Sequence, residues 1–129
     1  IDMDKPPFSA DTFLASGKPW DYLVSLNLAD PTAVLLQKEL IKLRDVLTEM
    51  DEQHLVYTLL LAEGYAPELF AEHAAQCLAH HSMSVRVKAY RVLRAVPSER
   101  ITDSLRAAVI RGLSACPERK QVAVALSGT

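Results

Sequence analysis

The side chains of this 129-residue chain whose types and spacing could do chemistry fall into two groups. The first is His73, Cys77, His80 and His81, at positions i, i+4, i+7 and i+8 of a predicted helix. Those offsets project from neighbouring parts of one helical face, and thiolate and imidazole both ligate zinc. The spacing permits a metal site without specifying one. Cys77 reads equally as a small core residue and His73 as an exposed side chain, while His80 and His81 stand at a helix C-terminus, where partial positive charge meets the negative end of the dipole. We read the group in this second way, with no metal and no cofactor.

The second group is basic: Arg86, Lys88, Arg91 and Arg94, followed by Arg106 and Arg111. They fall on two successive predicted helices that a stack of helices would set side by side. Such a surface suits an acidic segment of another protein, or the phosphates of nucleic acid. A sequence pI near 6.1, an acidic first half and the lack of aromatics interleaved with the patch weigh against nucleic acid. A solvated basic face with no partner is the bland alternative.

Other chemistries lack their residues. There is no Gly-x-Ser-x-Gly elbow, and glycines at 17, 64, 112 and 128 cannot build a phosphate-cradling loop. The paired acids Asp51 and Glu52 fall at a predicted helix start, where capping and the dipole account for them. The expectation is a non-catalytic chain.

The elements that must position these groups follow from composition and periodicity. Half the residues are hydrophobic and 6% aromatic, and the apolar stock is mainly Leu, Val and Ala, which suits helix-on-helix packing. One domain is expected at this length. Residues 1–65 carry 5 Lys/Arg against 11 Asp/Glu, and residues 66–129 carry 9 against 5, so the molecule is electrically polarised. That polarity could steer an acidic partner to the second half or favour self-association. Cys77 and Cys116, both among apolar residues, are expected as buried reduced thiols. No apolar run approaches the ~20 residues that span a bilayer, and no signal pattern opens the chain, so a cytoplasmic location is expected. Ile at position 1 suggests a processed product or a segment of something larger.

Along the chain, Ile1–Pro7 reads as an extended arm, because the Pro-Pro pair forbids regular helix. Residues 9–29 read as a cap of two short helices, the first opened by Ser9 and the second by Pro19, holding Phe13, Trp20 and Tyr22, with Phe8 just before it; a pocket for a partner is the functional alternative for these aromatics. Asp30-Pro31 signals a helix of about five turns with Leu36, Leu40, Leu43 and Leu47 as its stripe. Asp51 recaps a nearly all-round apolar helix ending at Gly64. Pro67 opens the next, Ser84 caps a helix with Val85, Ala89, Val92, Leu93 and Val96 on its core side, Ser98 or Thr102 starts another, and Pro117 opens the last. The arm covers residues 1–8 and the helical domain 9–129, with hairpins at 31–63, 67–96 and 99–126.

Hairpins recurring at roughly 34 residues prompt a search for repeats. The string Ser84-Val85-Arg86-Val87-Lys88-Ala89 through Leu93 resembles the second helix of a HEAT repeat, with Val85, Arg86, Ala89 and Leu93 at the matching positions. Ser82 and Ser84 stand where that family commonly has Asp. The resemblance implies an all-α fold, a short right-handed stack of antiparallel hairpins (an α-solenoid of HEAT or armadillo type) behind an N-terminal helical cap. The alternative fold is an irregular helical bundle. It further implies a scaffold that binds proteins along an extended surface. The expected function is an adaptor whose basic helices bind an acidic protein segment. The alternatives are a nucleic-acid-binding protein similar to the DNA glycosylases with HEAT-like repeats, and a small secretion chaperone or regulatory subunit.

Overall fold

The computed structural model of the chain describes residues 8–26 and 33–127. The arm through Pro7, the Asp30-Pro31 start signal and the side chain of Leu36 lie outside the described residues. Among those described the fold is all-helical, with eight α-helices, two 3-10 turns and no strand.

Local capping chemistry sets most helix starts. Helix α1 (Ala10–Ala15) begins where the Ser9 hydroxyl accepts the Thr12 N–H, and α2 (Pro19–Leu26) begins on Pro19, whose missing N–H would have had no intrahelical partner. After α3 (Ala33–Asp45), α4 (Glu52–Tyr65) starts where Asp51 accepts the His54 N–H at 2.8 Å. Then come α5 (Ala71–Cys77), α6 (Met83–Ala95), α7 (Asp103–Ser114), capped by the Thr102 hydroxyl, and α8 (Arg119–Ser127).

Four local expectations are corrected. The helix after position 31 ends at Asp45, and Leu47–Glu49 form a 3-10 turn that buries Leu47 and drops the chain to the Asp51 cap. Pro67 does not open a helix. Residues 67–70 form a turn around the fully buried Phe70, and α5 begins after it. Ser82 rather than Ser84 caps α6, its hydroxyl accepting the Val85 N–H, and Ser84 is exposed inside the first turn. Pro117 likewise sits in a turn, and α8 starts two residues later.

Packing follows a simple rule. Within the pairs α1/α2, α3/α4, α5/α6 and α7/α8 the two helices pack on each other, and like members of successive pairs pack as α1 on α3, α2 on α4, α4 on α6, α5 on α7 and α6 on α8. One core runs through all of them, with Phe13, Leu40, Leu43, Leu59, Phe70, Leu78, Val85 and Val92 fully buried. The nearly all-round apolar α4 is central, as its composition predicts. Helix α7 approaches α5 closely at Gly112, where a Cβ would stand 2.1 Å from the Ala75 carbonyl oxygen. Among the described residues no helix is long and apolar enough to cross a membrane.

Polar links tie each pair to the next. The His54 Nε2–H donates to the Ser16 carbonyl (2.9 Å), and Glu39 accepts the Ala10 N–H (2.8 Å). The Ser82 hydroxyl donates to Glu52, Arg91 meets Glu63, Ser104 donates to Glu72, and Arg86 meets Glu118. The partners in these six links are 28–38 residues apart.

Candidate functional site on the outer face of α6

Helix α6 turns Val85, Ala89, Val92 and Leu93 into the core. What remains outward is fixed by helical geometry: Met83, Val87, Arg91 and Arg94 fall opposite that stripe. All four are exposed.

The six basic residues separate into three roles. Arg86 is withdrawn from the surface: its side chain is 12% exposed. Its Nε and Nη2 donate to the two oxygens of Glu118 at 3.0 and 2.9 Å, and its Nη1 donates to the carbonyls of His80 and His81 at 2.9 and 3.0 Å. A guanidinium with this many fixed acceptors is a clamp between the α5–α6 turn and the start of α8. The same pair holds the Glu118 carboxyl below the usual carboxylate range.

Lys88, Arg91 and Arg94 form the second set. Arg91 leans toward α4 and pairs with Glu63 at 3.2 Å, half exposed. Among the described residues neither the half-buried Lys88 nor the exposed Arg94 has an ion-pair partner. Arg106 and Arg111 form the third set, on α7, both exposed, with Arg106 3.9 Å from Asp103. The side-by-side placement of α6 and α7 is corrected: α6 packs between α4 and α8 and on α5, whereas α7 packs on α5 and α8. The two basic sets therefore belong to different faces.

The histidine and cysteine group does not converge. Cys77 is buried, and desolvation pushes its thiol up to about 11. His80 accepts the Ser82 N–H at Nδ1 and stacks on His81 with ring centroids 4.3 Å apart. Burial, and then the neighbouring His81, lower its pKa. His73 lines a cleft wall. Among the described residues no three His, Cys, Asp or Glu side chains are grouped to hold a metal ion.

Two features go beyond the sequence reading, which singles out only Trp20 of their residues as part of a cap or partner pocket. One is an open cleft of about 850 Å³ between α3 and the α4–α5 turn, lined by Gln37, Arg44, Glu68, Glu72, His73 and Arg100 among others. Its charges nearly balance, and Arg100 comes from a 3-10 turn that carries no periodic signal. The other is apolar. Trp20 (48% exposed) stacks on Tyr57 of α4 with centroids 5.5 Å apart, and Val24, Met83, Val87 and Val124 are exposed on α2, α6 and α8. The outward positions of Met83 and Val87 could have been read from the α6 stripe. The Arg86–Glu118 pair could have been sought at the roughly 34-residue spacing expected from the sequence, since 32 residues separate them.

Comparison of the chain with family models, with curated proteins and with solved structures finds no match.

Proposed function

We propose that the chain is a protein-interaction module built as a short α-solenoid of HEAT-like hairpins, and that it binds an acidic segment of another protein on the outer face of α6. The stacking reading is supported by pairwise packing of like helices and by cross-links recurring at separations of 28–38 residues. A quasi-one-dimensional stack in which each hairpin touches only its neighbours has that contact pattern. The HEAT resemblance implies that Arg86 ties one repeat to the next through an acidic turn residue; with serines at positions 82 and 84, the clamp to Glu118 does that work.

The observation that carries the functional reading is the row α2–α4–α6–α8. It bears five of the eight large hydrophobic residues exposed in the described chain, together with four cations that have no ion-pair partner among the described residues, Lys88 and Arg94 on α6 and Arg119 and Lys120 on α8. An apolar strip beside fixed positive charge is suited to a partner that is apolar and acidic. Arg106 and Arg111 contribute only to the general field.

The test is affinity capture from native extract with immobilised full-length chain, the Arg91→Glu/Arg94→Glu variant beside it, and a nuclease-treated control. Because Arg91 engages Glu63, Lys88→Glu/Arg94→Glu serves as a second variant that breaks no ion pair. The reading requires a protein retained by wild type and lost with both variants. Material released by nuclease would point to nucleic acid instead, and identical retention by all baits would reject the surface.

A further inference from the structure

The links that bind α6 to its neighbours also orient it. Arg91 reaches one way to Glu63 of α4, and Arg86 the other way to Glu118 just before α8, so the crest between them is Met83, Val87 and Arg94 at i, i+4 and i+11. Met83 is 62% and Val87 42% exposed. Glu52 meets Ser82 near the start of both helices and Glu63 meets Arg91 further along, so α4 and α6 run parallel and nearly in register. This sets Tyr57 and Leu60 of α4, both half-buried, at the level of Val87. One turn on, Gly64 leaves open space where a side chain would rise. Beyond α4, Trp20 and Val24 of α2 continue the apolar surface, joined to it by the Trp20–Tyr57 stack. The face thus has a low apolar floor over α4 and apolar walls on α2 and α6. Lys88 at mid-helix and Arg91 and Arg94 in the last turns of α6 add positive charge along that wall, of which only Arg91 is paired, with Glu63.

We propose that the occupant of this face is an amphipathic helix of another protein, apolar on one side and acidic toward one end, lying along α4. Deepening the interaction-module reading, this names the secondary structure and chemistry of the partner. A helix is the fitting element because the floor is itself a helix: ridges of a second helix pack into its grooves, with apolar anchors at i, i+3 or i+4 and i+7. The 14 residues of α4 make a track of about 21 Å, or four turns of a bound helix. Acid is required because Glu63 is already taken by Arg91, while Lys88 and Arg94 have no internal counter-ion among the described residues. Charge complementarity of this kind chooses partners and register, while the buried apolar anchors supply affinity.

The experiment is selection of a displayed library of 16-residue amphipathic helices, Leu fixed along one face and all other positions drawn evenly from Glu, Lys and Gln, against the full chain. The proposal expects enriched sequences to be net acidic, with Glu gathered toward one end. Synthesised winners should bind at least tenfold more weakly to Val87→Asp and to Lys88→Glu/Arg94→Glu, and unchanged to Arg106→Glu/Arg111→Glu. No preference for Glu over Lys, or binding indifferent to Val87 and Arg94, overturns it. So does a chain that sediments as a dimer broken by Val87→Asp, since a second copy would then occupy the face. The two readings fail separately: a captured protein that needs Arg94, with no acidic preference in the library, keeps the module and removes the helical occupant. Acidic helices selected on this face, with nothing captured from extract, keep the surface chemistry and remove the adaptor role.

Discussion

Replacing Gly112 by Ala tests the stacking of α7 on α5 at a point of close approach. A Cβ there would stand 2.1 Å from the Ala75 carbonyl oxygen, 3.2 Å from the Ala75 carbonyl carbon and 3.3 Å from the Leu78 Cβ. The first two are backbone atoms of a packed helix and cannot swing aside. Restoring van der Waals separation requires α5 and α7 to part by roughly 1 Å, which forfeits part of the contact energy along the interface. Overpacking of this kind costs about 1–3 kcal/mol, whereas Ala in place of Gly in a helix contributes up to about 1 kcal/mol. The clash wins, for a net loss of about 1–2 kcal/mol and a fall in Tm of several degrees for a domain of this size. Gly64→Ala is the matched control: nothing lies within 4 Å of its Cβ position, so only the propensity gain remains and stability should rise. Urea denaturation of both variants gives the two signs directly. If Gly112→Ala proves as stable as wild type while Gly64→Ala behaves as expected, the close approach of α5 and α7 is wrong.

Other perturbations address the core, the clamp and the thiols. Leu93→Asp puts an unpaired carboxylate into the buried face of α6 and should cost on the order of 4 kcal/mol, enough to unfold a marginal domain, as circular dichroism would record. A mild effect would mean that the face of α6 is misassigned. The Glu118 carboxyl, lowered by Arg86, contributes stability that is full above the ordinary glutamate value of about 4.3 and is lost as pH falls through its folded value. Wild type should therefore melt above Glu118→Gln at neutral pH, and the gap should close in acid. A gap independent of pH would refute the clamp. Burial pushes the Cys77 thiol up to about 11 and raises that of Cys116 as well, so a disulfide-exchange reagent at pH 8 should titrate neither in the native chain and both in denaturant. Rapid native labelling of Cys77 would contradict its packing.

The helical class and most of the core were legible because periodicity is a local signal. Val85, Ala89, Val92 and Leu93 recur every three or four residues and are buried together. Helix starts were legible where a side chain caps them, as at Ser9, Asp51 and Thr102. Proline misled at positions 67 and 117, since it fits the turn before a helix as readily as the first helical position. The basic set was legible as a set of charges but not as a surface. Separating Arg86 from Arg94 required knowing that Glu118 lies opposite Arg86, and separating α6 from α7 required knowing that α5 packs against both. These are relations between residues and helices distant in the sequence, 32 residues in the case of Arg86 and Glu118, which no single helix pattern contains.

The most direct test of the interaction face adds a third bait, Arg106→Glu/Arg111→Glu, to the capture from native extract, beside wild type and Lys88→Glu/Arg94→Glu. Both variants reverse two exposed or half-exposed cations and change net charge equally; they differ in which helix carries the change and in the exposed Arg106–Asp103 contact that the α7 variant gives up. The account predicts that the α7 bait retains the wild-type partner and the α6 bait loses it. Retention by the α6 bait with loss from the α7 bait would contradict it.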